Sequence, residues 1–137
     1  MKNVLLSGLR ISAGFLLGTL FTWGLGQFLQ DFLAPEISRP EVNDAAQVAE
    51  FLGALPPLAH AGRLLAMGLG MMLGIVTVRR CPGGRPLEGW VLTMLFAAGV
   101  VMDLCRVDHG PALSIATVAM VFPCAWMGMN LASRGRS

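Results

Sequence analysis

Charge is what this sequence has least of. Only 13% of its 137 residues are Asp, Glu, Lys or Arg, about half the share of a soluble domain, and 55% are hydrophobic. The net charge is just +2, and the basic residues stand at segment ends rather than in a patch, which excludes nucleic-acid binding. Cysteine is sparse too. Cys81, Cys105 and Cys124 form no CxxC and fall on segments not expected to meet, so disulfide exchange and zinc binding find no support. They read as small apolar fillers. No P-loop, HExxH or Ser/His/Asp arrangement occurs, so no catalytic residue is assigned and no metal is expected. The two histidines, His60 and His109, do not make a haem site, because His109 falls in a turn rather than in the apolar core. The methionines are spread over three helices and fill gaps. No cofactor is therefore expected.

What is present is four long apolar runs, at about 4–29, 58–78, 87–104 and 111–132, each long enough to cross a bilayer. They predict a single domain with an all-α fold, an integral membrane four-helix bundle. The opening run imitates a signal peptide behind Lys2. Its apolar part continues to about residue 29, is interrupted by Arg10, and meets no small-x-small cleavage site, so it is expected to stay as the first span. The basic turn at 79–86 only reverses the chain, making a hairpin of the second and third spans.

The long connection, 30–57, carries Asp31, Glu36, Glu41, Asp44 and Glu50 against Arg39, a net charge of −4. Ser38 followed by Glu41 is a capping-box pattern with Pro40 in the first turn, predicting a short extra helix over 41–55. Its Val42, Ala45, Ala49 and Leu52 would share a face. That helix is expected along the membrane surface or over the mouth of the bundle, with a plain solvated connector as the other reading. CRVDHG at 105–110 is a tight turn, Pro111 opens the fourth span, and Pro123 should kink it.

Lys2, then Arg79, Arg80 and Arg85, then Arg134 and Arg136 alternate with the acidic loop and the CRVDHG turn. The positive-inside rule then puts both termini in the cytoplasm, N-in and C-in, in an inner membrane. Arg10 is expected to snorkel near that face, and Trp90 suits an interfacial belt that Trp23 and Trp126 fit roughly.

Two features carry possible function. The first is glycine. Gly14 and Gly18 are spaced GxxxG, as are Gly70 and Gly74, and Gly99 adds a small residue to the third span. In lipid, where apolar surface gives no drive to associate, such residues let helix backbones approach. The second is a group of embedded charges. Antiparallel pairing of the hairpin sets Arg63 level with Asp103, and His60 level with Arg106. His60 with Arg63, and Asp103 with Arg106, share a face at i, i+3 spacing. A charge at a helix centre costs roughly 2.5–3.5 kcal/mol on insertion scales, so such residues normally face the bundle and pair. Arg63 lies only about 7–8 Å inside, within snorkelling reach. His109 and Asp108 complete the rim. Two readings stay open: a clasp, in which Asp103 neutralises Arg63, and a site where arginines and histidines hold an anion or a lipid head.

The stretches GLRISAGFLLGTLFTWGLGQFLQDFLAP, HAGRLLAMGLGMMLGIVTVRR and RPLEGWVLTMLFAAGVVMDLCRVDHGPA resemble a family of small bacterial four-span inner-membrane proteins of unknown function. Shared traits are an arginine introducing a glycine-rich second span (Arg63), a basic turn, and an arginine closing the third span (Arg106) before a glycine-proline turn. Leu9-Arg10 is similar to the opening of the DoxX-like four-helix membrane proteins. The resemblance implies architecture and no activity. Three functions follow as expectations. The first is a non-enzymatic packing or accessory protein whose partners are the bilayer and a homo-oligomer or larger membrane complex. The second is a binder of a small amphiphile through His60, Arg63, Asp103, Arg106 and His109. The third is an accessory subunit of a membrane redox enzyme.

Overall fold

The computed structural model describes residues 2–37, 44–107 and 109–134. The chain is all-α, with α1 (Lys2–Leu33), α2 (Ala45–Ala54), α3 (Pro57–Arg80), α4 (Pro86–Arg106) and α5 (Pro111–Arg134). All but α2 are long and apolar enough to cross a membrane. Each long helix outruns its apolar run by up to a few residues; α3, α4 and α5 take in prolines or basic side chains that suit helix termini, and α1 continues through Gln30 and Asp31 to Leu33. Pro57, Pro86 and Pro111 each open a helix, where a missing N–H costs nothing. Arg79 and Arg80 close α3, Arg106 closes α4 and Arg134 closes α5, against the negative end of each dipole. α5 runs unbroken through Pro123.

The surface is that of a membrane bundle. Val4, Leu5, Trp23, Phe32, Met102, Ile115 and Trp126 are all at least 65% exposed, a face that water would not tolerate on a monomer. This marks the chain as a multi-pass membrane protein.

α3 is the central helix. Of its most apolar stretch 44% is buried, against 11% for α1. It packs most extensively on α1, next on α5, and much less on α4. The α3–α4 hairpin is thus continuous in sequence but is not the tightest pair. The reason is the spacing of small residues. On α1, Gly14, Gly18, Thr22 and Gly26 recur every fourth position; on α3, Gly62, Ala66, Gly70 and Gly74 do the same. The two rows run antiparallel and mesh. A Cβ at Gly74 would stand 2.6 Å from the Gly14 carbonyl oxygen, and one at Gly26 would stand 3.9 Å from the Ala66 Cβ. α5 comes against α3 through Gly68, which faces Cys124 and Met120, and through Gly128, which faces Met72 and Ile75.

Arg10 reaches the Gly83 carbonyl and Arg80 that of Leu131, so the first turns of α1, the last turns of α5 and the α3–α4 turn share one end of the bundle, the terminal end. The half nearest it holds the core of Met71, Ile75, Val78, Leu92, Val121 and Ala125, with Phe15 and Phe96 at 5.2 Å beside it. At the opposite, loop end, α2 folds over the bundle. Phe51, Leu52 and Leu55 pack there with Ala34, Ala59 and Val107. Leu52 is 2% exposed, so α2 is a packed cap and not a solvated connector. It starts at Ala45, with Asp44 as N-cap accepting from the amides of Ala46 and Gln47 at 3.0 and 3.3 Å. The Ser38–Glu41 capping box and Val42 lie outside the described residues. Ala49 and Leu52 share the inward face as expected, Ala45 is exposed instead, and Phe51 and Leu55 join the face.

Candidate functional site

Between the tight terminal half and the α2 cap the bundle opens. α1 and α5 both pack on α3 but scarcely on each other, and the buried residues of α4 all fall within its first turns, at Glu88, Gly89, Leu92 and Thr93. The result is a cleft of about 460 Å³ between α1 and α5, floored by α3 and roofed by α2. Trp23, Phe51, Leu64, Met67 and Leu113 give it apolar walls; Arg63, Asp103 and His109 stand together at its loop end.

These three side chains are positioned by different elements. Arg63 projects from the second turn of α3, and Asp103 from the last turns of α4. Both side chains line the cleft. His109, in the α4–α5 turn, is held from both ring nitrogens. Its Nδ1 lies 2.7 Å from the Val107 carbonyl, and its Nε2 lies 3.1 Å from Asp103 Oδ2. The Val107 carbonyl can only accept, so Nδ1 carries a proton and donates it there, and Nε2 faces the carboxylate. The imidazole is only 6% exposed, whereas the Asp103 side chain is 61% exposed and open to the cleft.

His60 lies apart from that trio. It lines a second cavity, about 300 Å³, under α2 with Ala49, Leu52, Gly53, His109 and Gly110. His109 is therefore the wall shared by the two cavities. Arg106 is exposed and lines neither of them. An anion in the cleft would meet one arginine, Arg63, and not two. Among the described residues, no group of three or more His, Cys, Asp or Glu side chains is placed to hold a metal ion.

The five glycines divide. Gly14 and Gly74 lie against each other, as do Gly18 and Gly70, all at the α1–α3 seam inside the chain. Gly99 is exposed, with nothing within 4 Å of where a Cβ would stand. It lies on the outward half of α4 and packs against no other helix of this chain.

Sequence reasoning missed the α1 wall of the cleft: Thr19, Thr22, Gln27 and Gln30. The signal was available, since polar residues recur at roughly helical spacing along one face of an otherwise apolar span. The Thr22 hydroxyl donates to the Gly18 carbonyl at 2.9 Å, and the Thr117 hydroxyl across the cleft donates to that of Leu113 at 2.7 Å. The Gln27 side-chain oxygen is buried with no hydrogen-bond partner.

A second polar cluster, at the terminal end, was also missed. Glu88 is 5% exposed and accepts from Ser7 at 2.5 Å, from Arg10 at 3.0 Å and from the Arg85 amide at 3.1 Å. Arg10 also donates to Gly83, which turns with φ +76°, a conformation natural to glycine. Arg10 is thus an ion-pair partner tying α1 to the α3–α4 turn rather than a snorkelling side chain. The hint in the sequence was a glutamate three residues after Arg85, behind a proline at the first helical position. Comparison of the chain with family models, with curated proteins and with solved structures found no match.

Proposed function

We propose that this chain is a membrane-embedded binding protein that holds one small amphiphile in the α1–α5 cleft. One observation carries the reading: within the spans, a cavity of about 460 Å³ joins apolar walls to a compact polar end of Arg63, Asp103 and His109. Its volume is in the range of small-molecule sites, and a few convergent polar groups in an apolar pocket are the usual mark of one. Ionisable groups at such depth are expensive unless they serve a pathway or a ligand. The tail would lie along Trp23, Leu64 and Met67, and the head would meet Arg63. By the distribution of basic residues, the terminal end faces the cytoplasm of a bacterial inner membrane and the cleft opens toward the outer leaflet.

Packing against another protein is the second reading. The seam glycines are engaged within the chain, so a partner would be met by the outward half of α4, where Gly99 lies open. Native mass spectrometry of protein released from nanodiscs tests the first reading. The expected result is one amphiphile retained per chain and lost in Arg63→Ala; a bare chain in both samples contradicts it.

A further inference from the structure

Resting on that reading, we infer that the head this cleft accepts is uncharged and rich in hydroxyl groups, of the glycerol or sugar kind. The first ground is charge. Arg63 and Asp103, of opposite charge, line the same cavity, and His109 braces the carboxylate at 3.1 Å. An anionic head drawn to Arg63 would be set against Asp103, and a cationic one drawn to Asp103 would be set against Arg63. Either clash opposes binding. A neutral head meets neither.

The second ground is the count of hydrogen-bonding capacity. The hydroxyl protons of Thr22 and Thr117 are committed to carbonyls of their own helices, so each oxygen offers only lone pairs to the cleft. Asp103 has a second carboxylate oxygen, and Gln27 a buried side-chain oxygen without a partner. The α1 and α5 walls therefore present these oxygens as acceptors, while Arg63 and the side-chain amides of Gln27 and Gln30 are donors. A ligand that satisfies this wall must bring donors and acceptors together. A hydroxyl supplies both from one atom, and two or three adjacent hydroxyls match acceptors on both sides of the cleft. An ester or ether head brings no donor and would leave these oxygens unpaired, the costly outcome for a buried polar group.

The test uses full-length protein in phosphatidylcholine nanodiscs, with Trp90 and Trp126 changed to Phe so that Trp23, in the cleft wall, reports occupancy. Three probes share one acyl chain: 1-monolauroylglycerol, methyl laurate and laurate. Monolauroylglycerol is expected to bind at least about tenfold more tightly than the other two, the equivalent of one or two hydrogen bonds. That margin should shrink in Gln27→Leu and, independently, in Thr117→Val, which provides the check should the first variant fold poorly. Equal binding of all three probes, or a preference for laurate, overturns the head assignment while leaving the amphiphile site standing. No response to any probe, with wild-type protein also bare by mass spectrometry, removes both.

Discussion

Gly18 and Gly70 meet backbone to backbone: a Cβ on Gly18 would fall 2.7 Å from the Gly70 carbonyl oxygen, and one on Gly70 would fall 2.6 Å from that of Gly18. No side chain fits between them. Since lipid supplies no hydrophobic drive, the close approach of these backbones is what gives α1 and α3 their contact area.

Gly70→Leu should therefore force the two helices apart. Overpacking ordinarily costs about 1–3 kcal/mol, and here the obstacle is backbone that cannot move aside. Thermal unfolding in detergent should show a large loss or no folded protein. Gly99→Leu, placed in open space, should melt within a degree or two of wild type. Equal effects at the two positions would count against the seam.

Arg10 and Glu88 hold the terminal end together, with side chains 18% and 5% exposed. Removing one partner of a buried pair leaves the other uncompensated, at about 3 kcal/mol or more. Arg10→Ala and Glu88→Ala should each lower stability strongly, and the double variant should be little worse than either. Additive losses in that cycle would show that the two residues act separately.

For the cleft, the same cycle on Arg63 and Asp103 discriminates site from clasp. The binding account expects Arg63→Ala to keep its melting point near wild type and to lose retained amphiphile. A pure clasp would instead show each single variant destabilised and the double variant no worse, with no effect on any ligand.

Asp44 caps α2 by accepting two backbone amides. Asp44→Ala should weaken α2 by about 1 kcal/mol. Because α2 roofs the cleft through Val48 and Phe51, hydrogen exchange at Ala46 and Gln47 should quicken, and bound amphiphile should leave faster. An unchanged release rate would separate α2 from access to the site.

How much of this could be read beforehand follows from what lipid enforces. Span number came from apolar run length, and the ends of α3, α4 and α5 needed only the prolines and basic residues to be placed closer, whereas α1 runs on through Gln30 and Asp31. The depth match of Arg63 with Asp103 was readable because antiparallel helices fix level by counting. Rotation about each axis is not fixed by counting, so Arg106 could be set beside His60 on paper and yet lie on the exposed side. The glycine motifs were visible, but not which row met which; that pairing follows from four small residues in register on each helix. Glu88 escaped notice because its partners are 78 and 81 residues away in the chain. The polar face of α1 was missed because each residue looks innocuous alone, and only the helical period joins them.

The most direct measurement of the central claim is photolabelling in nanodiscs with a monoacylglycerol carrying a diazirine at mid-chain, followed by peptide mapping. The account predicts adducts concentrated at Leu64, Met67 and Leu113, competed away by unlabelled monolauroylglycerol and absent in Arg63→Ala. Adducts spread evenly over outward-facing residues such as Leu95, Val101 and Ile115, without competition, would contradict it.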